Sequence, residues 1–195
     1  MLGSITPLGE RSRNVKWRTT MILFFAAATA AGATSGLLLG ELGALVGLRG
    51  RMAAVAVAAV GLAAIVLDTS RIRQLGVPGI KRQVDDLWLG RYRRWVYSTG
   101  FGAQLGLGVV THVVSYATYA TFAMALASGS PSLGALVGGS YGAIRGIQPL
   151  TAIRVETQEA LVRLHGRIET SERRIGSALR WARVAVVVIL VVATA

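Results

Sequence analysis

The 195-residue sequence has no cysteine and little charge: Asp, Glu, Lys and Arg together make 15%, where an ordinary soluble domain carries roughly a quarter. The missing thiols exclude a disulfide-built secreted scaffold, thiol redox chemistry carried by this chain, a Cys-based metal site and an iron–sulfur cluster. Acid is scarcer than base, 9 residues against 21, and there are 2 histidines. No second His or carboxylate accompanies His112 at metal-ligand spacing, and neither a Gly-x-Ser-x-Gly nor a Walker A sequence occurs. The chain therefore reads as a non-enzyme that uses no cofactor.

What is abundant is apolar. Hydrophobic residues make 53% of the chain and the mean hydropathy is +0.55, the balance of a membrane protein. A net charge of +12 would suggest nucleic acid in a soluble protein, but here the cations lie between long apolar blocks. The partner this implies is the anionic headgroup surface of a bilayer, not nucleic acid. The blocks run over 21–48, 52–67, 96–128, 133–153 and 184–195. A span needs about 20 residues, so the second and fifth are short and would use flanking Arg49, Arg51, Arg180 and Arg183 as snorkelling ends.

Charge bias sets the orientation. Arg11, Arg13, Lys16 and Arg18 precede the first block, and Arg71, Arg73, Lys81, Arg82, Arg91, Arg93 and Arg94 separate the second from the third. Both segments should be cytoplasmic, while the uncharged linker 129–132 suits the outer face and Arg49 and Arg51 dissent. The first block is too long for the h-region of a signal peptide, which favours an uncleaved span. The expectation is an all-α polytopic integral membrane helix bundle of about five transmembrane helices with two cytoplasmic amphipathic helices. Its parts would be a basic N-terminus (1–20), a first helix pair (21–67), an amphipathic loop and helix (68–95), a second helix pair (96–153), a charged helix (154–183) and a C-terminal span (184–195). The ratio of 19 Arg to 2 Lys suits a high-GC bacterial genome and hence a bacterial inner membrane.

Glycine spacing is the clearest pattern inside the blocks. Gly32, Gly36 and Gly40 recur every four residues on the first, and Gly134, Gly138, Gly142 and Gly146 on the fourth; Gly102 and Gly106 lie in the third. Such spacing makes a smooth helix face that another backbone can approach closely. The face serves either packing within the bundle or a partner subunit or homo-oligomer. Leu-Gly-Ala-Leu-Val-Gly occurs at 42–47 and again at 133–138, and Lys16-Trp17-Arg18 and Arg93-Arg94-Trp95 precede the two helix pairs. A duplicated helix pair running in one direction would be a parallel repeat, a form found in transporters.

Polar residues inside apolar blocks mark candidate sites, because unpaired polar groups are costly in hydrocarbon. On one continuous helix, Gln104, Gly108, Thr111, Ser115 and Thr118 share a stripe, with His112, Tyr116 and Tyr119 beside it. In the fourth block Tyr141, Arg145 and Gln148 share a face, where Arg145 either snorkels or contacts an anion or headgroup. Glu41 would cap a break at Gly40–Gly43 or pair with Arg49 or Arg51. The amphipathic segment 80–95 places Lys81, Arg82, Arg91, Arg93 and Arg94 for headgroups, or alternatively docks on a cytoplasmic partner through Asp85 and Asp86. In 154–183, Leu161, Ile168, Ile175 and Ala182 recur every seven residues, with Leu164 between.

The Gly-Phe-Gly-x-Gln-Leu-Gly stretch at 100–106 resembles the opening of a helix in the duplicated membrane domains of the cytochrome c biogenesis and thiol-transport family. That resemblance implies a multi-span glycine-rich bundle. The family works through paired intramembrane cysteines, and without cysteine its electron-carrying activity does not transfer. Two functions then compete: a non-catalytic membrane subunit or scaffold of a larger complex, and a small-solute or ion transporter or channel-like protein built on the polar face of the third block.

Overall fold

A computed structural model describes residues 7, 16–48, 50–69, 92–108, 116–153, 155–160, 162–164 and 166. Among these, all regular structure is helical: α1 (Trp17–Leu45), α2 (Gly50–Thr69), α3 (Arg94–Leu107), α4 (Ala117–Ala127) and α5 (Pro131–Ile147), followed by a 3-10 turn (Gln148–Ala152). The amphipathic segment 80–91 and the terminal block 184–195 lie outside the described residues.

Each helix end has a local cause. At the end of α1, Gly47 takes φ +77 and Leu48 N–H reaches back to the Gly43 carbonyl at 3.0 Å, a left-handed stop that glycine permits at little cost. Ser128 and Gly129 close α4, with Gly129 at φ +54 donating to the Leu126 carbonyl at 3.2 Å. Ser130 is extended and Pro131 opens α5, where a missing N–H costs nothing. Pro149 cannot donate to the α-helical ladder, and α5 gives way to the 3-10 turn beginning one residue before it.

The glycines fix the packing geometry. Gly32 faces Gly138 and Gly142, Gly36 faces Gly134 and Gly138, and Gly40 faces Ser130 and Pro131, so α1 and α5 run antiparallel along one seam. Gly102 faces Phe24 and Gly106 faces Ala28, so α3 runs parallel to α1. That register brings Trp17 of α1 and Trp95 of α3 to the same end of the bundle. There Met21, Phe24, Tyr97, Phe101 and Leu105 form the one described cluster of large buried apolar side chains, with Trp17 against it.

Elsewhere the inside is small and the outside is large. Seven of the thirteen buried apolar residues among the described ones are alanine, while Ile22, Leu45, Val46, Met52 and Ile144 are each more than two-thirds exposed. Among the described residues one helix, α1, is long and apolar enough to cross a membrane; shorter apolar stretches lie at Arg51–Ala64 and Ala117–Ala127. Its 29 residues measure about 43 Å, against a hydrocarbon core of about 30 Å.

The third apolar block departs from the expectation of one helix. It contains α3 and α4, and α3 stops at Gly108, which takes φ +71 and donates to the Leu105 carbonyl at 3.2 Å. A Cβ at Gly108 would fall 2.7 Å from the edge of the Phe122 ring and 2.8 Å from the Tyr141 hydroxyl, so the ends of both side chains would have to move, in addition to the strain of the left-handed backbone. The hexapeptide repeat also falls in unlike places, since 42–47 finishes α1 and its turn while 133–138 lies within α5. α1 continues through Gly40–Gly43 without a break, and Glu41 is exposed on it.

Candidate functional site

The glycine faces of the first and fourth blocks are pressed against each other. Gly32, Gly36, Gly40, Gly134, Gly138, Gly142 and Gly146 are all buried. A methyl on Gly32 would fall on the Gly138 carbonyl oxygen, one on Gly138 on the Gly32 carbonyl oxygen, and one on Gly142 on that of Ala28. Gly146 is looser, its nearest neighbours being Phe25 Cδ2 at 3.2 Å and Ala28 Cβ at 3.3 Å from a Cβ placed there. Small residues on this seam are therefore spoken for within the chain.

Beside the seam lies a charged group inside the bundle. Tyr141 and Arg145 are one helical turn apart on α5, and Arg145 Nη1 donates to the Tyr141 hydroxyl at 3.0 Å. The guanidinium carbon stands 5.6 Å from the Tyr141 ring centroid, and the Phe122 ring of α4 lies 5.4 Å from the same centroid, tilted by 59°. Arg145 Nε is buried and has no acceptor. Orphaning such a donor costs about 1–3 kcal/mol. Its position in the last turn of α5 favours a cation. Because Gly146 meets Phe25, Arg145 sits at the level of Phe25, about 12 Å along α1 from Trp17 at 1.5 Å per residue. Gln148 is not part of this cluster. It is exposed and its carbonyl accepts from Thr151 Oγ1 at 2.7 Å.

The proposed polar stripe is divided by the break at Gly108. Gln104 is half-buried on α3, Thr118 is buried on α4, and the Tyr116 and Tyr119 rings lie with centroids 6.5 Å apart, tilted by 48°, at the start of α4. Thr111, His112 and Ser115 lie outside the described residues, as do Lys81, Arg82 and Arg91. Arg93 precedes α3 as an exposed N-cap, and Arg94 is half-buried with its Nε lacking an acceptor.

Two features escape a linear reading. Thr20 and Ser98 are both fully buried, and the Ser98 hydroxyl donates to the Arg94 carbonyl at 2.6 Å, bonding its own helix as hydroxyls in apolar surroundings do. The second is an open cleft of about 580 Å³ at the Trp17 end, lined by Pro7, Lys16, Trp17, Arg18, Thr19, Ile153 and Glu156. It forms because the antiparallel return of α5 and the 3-10 turn carries Ile153 and Glu156 back to where α1 begins. Only a fold-level contact joins residues this far apart in sequence. No family model, no curated protein and no solved structure matches this chain.

Proposed function

We propose that this chain is a non-catalytic, multi-span helix-bundle subunit or scaffold of a bacterial inner-membrane complex, with its basic N-terminal end in the cytoplasm. The observation that carries the membrane part is the reversed distribution of side chains. Glycine and alanine fill the contacts between helices, while Leu, Ile, Val and Met stand exposed along α1, α2 and α5. Water would penalise so large an apolar surface, whereas lipid makes helix contacts depend on close approach of small residues. Charge supports the orientation. Lys16, Arg18, Arg93 and Arg94 gather at the Trp17 end, whereas the turn between α4 and α5 at the opposite end is uncharged.

A scaffold role fits the surface that packing leaves over. Since α1 and α5 use their glycine faces on each other, a partner would meet the larger side chains of α2 and α4, such as Val55, Leu62 and Tyr119. Extraction of the tagged chain from native membranes in mild detergent, followed by mass spectrometry of what stays bound, tests this reading. A stoichiometric protein partner is the expected result, and recovery of the chain alone as a monomer would remove it.

A second reading, a small-solute or ion transporter, draws on Arg145 and Tyr141, a cation held between helices at intramembrane depth. Under that reading, replacing Arg145, His112 and Ser115 in a protein that stays folded lowers flux. Unchanged flux would count against it.

A further inference from the structure

Arg145 carries a charge that its described surroundings do not balance. Its Nη1 donates to Tyr141 at 3.0 Å, its buried Nε has no acceptor, and among the described residues no carboxylate comes within ion-pair distance of it. Glu41 lies beyond Gly40, which faces Ser130 and Pro131, about 20 Å along α5 from Arg145 at 1.5 Å per residue. Glu156 and Glu159 follow the 3-10 turn, and Glu159 faces Arg163 at 4.0 Å. The sequence joining α3 to α4, residues 109–115, contains no acidic residue. Side-chain direction then decides between the two roles open to this cation. Side chains on a helix tilt toward its N-terminus, and α5 begins at the uncharged end. Arg145 follows that tilt, reaching back one turn to Tyr141 and so away from the near headgroup level at Trp17. A snorkelling arginine would extend the other way, toward Gln148. The guanidinium is thus held near the depth where α3 stops, because the Tyr141 hydroxyl lies beside Gly108.

We propose that Arg145 anchors a site inside the bundle for a small monocarboxylate. The assignment rests on the membrane reading above and needs neither a partner protein nor flux. With Nη1 engaged, the Nε–H and the Nη2–H beside it form the remaining edge of the fork, two near-parallel donors that match the two oxygens of a carboxylate. Tyr141 accepts from Nη1 and keeps its own proton to donate. The side chain of Arg145 is half-buried, not sealed in. The Phe122 and Tyr141 rings, 5.4 Å apart, offer apolar contact for the carbon chain of such an acid. A halide gains nothing from the spacing of the fork. A phosphate dianion would bring a second charge, and the described cations Arg18 and Arg94 lie about 10 Å nearer the headgroups, at the starts of α1 and α3.

The test uses the full-length chain, purified in a non-ionic detergent and melted in sodium butyrate, sodium chloride or sodium phosphate at equal ionic strength. Butyrate should raise the melting temperature as its concentration rises, and chloride and phosphate should not. Arg145→Gln should abolish the shift. Arg145→Lys, which keeps the charge without the fork, should weaken butyrate about tenfold. Arg18→Gln, on an exposed cation at the headgroup level, should leave the shift unchanged. Equal stabilisation by chloride or phosphate, or an undiminished response in Arg145→Lys, would overturn the site, and the lysine variant decides even where Arg145→Gln does not fold. Loss of a co-purifying protein on Arg145→Gln, with no butyrate effect on the unmodified chain, would place the carboxylate on a partner helix and overturn it too. Butyrate binding without flux into liposomes would support the site and remove only the transporter reading. Recovery of the chain in the soluble fraction would instead overturn the membrane reading on which the site rests.

Discussion

Gly36 and Gly134 each occupy the room that a side chain on the other would need. A methyl on Gly36 falls on the Gly134 carbonyl oxygen and 3.0 Å from Gly138 Cα; a methyl on Gly134 falls on the Gly36 carbonyl oxygen and 3.0 Å from Gly40 Cα. Backbone thus meets backbone, and neither side has a flexible end that could move aside.

This reciprocity gives the first prediction. Gly36→Ala or Gly138→Ala should destabilise the bundle by about 1–3 kcal/mol through overpacking, even though alanine is the better helix former. Gly61→Ala on α2 is the contrast, since a methyl there meets only Met124 Cε at 3.9 Å. It should stabilise by up to about 1 kcal/mol. Thermal unfolding in detergent separates the two classes, and equal melting temperatures would show that the α1–α5 seam is not tight.

Gly108 and Gly47 share a left-handed backbone but not a neighbourhood. At Gly47 nothing lies within 4 Å of where a side chain would go, so Gly47→Ala should cost only the conformational penalty of about 1–2 kcal/mol. Gly108→Ala adds collision with Phe122 and Tyr141 and should cost clearly more in the same melting experiment. A smaller loss at Gly108 than at Gly47 would contradict the described break between α3 and α4.

Tyr141→Phe deletes the acceptor for Arg145 Nη1 while keeping the ring that faces the guanidinium. The expected loss is about 1–3 kcal/mol, because a partly buried cation is left with one contact fewer. A double-mutant cycle with Arg145→Gln should give a coupling above about 0.5 kcal/mol. Additive losses would mean that the two side chains act independently.

Absence of cysteine makes the orientation directly measurable. Ser132→Cys, at the uncharged end, should react with a membrane-impermeant maleimide in intact cells. Gln158→Cys, beyond the turn that returns to the basic end, should react only after lysis. Labelling of both from the same side would refute a bundle with its two ends on opposite faces of a membrane.

Glycines at fourfold spacing and the i, i+4 pair Tyr141 and Arg145 could be read from the chain, because helical periodicity alone places such residues on one face. Which face meets which could not. The partner of Gly36 is Gly134, nearly a hundred positions away, and nothing local encodes that choice. The break at Gly108 was hidden for a related reason: one glycine among many in a continuous apolar run stands out only when Phe122 and Tyr141 crowd it. Gln148 left its expected face because the helix changes form next to Pro149. The cleft joining Lys16 to Glu156 depends on the return of α5, so no motif marks it.

Ala28 is fully buried, and both flanking helices rest on its carbonyl, α3 through Gly106 and α5 through Gly142. The two seams thus have a common fulcrum on α1. A side chain enlarged at that point would prise α3 and α5 away together, because both helices approach the same peptide group.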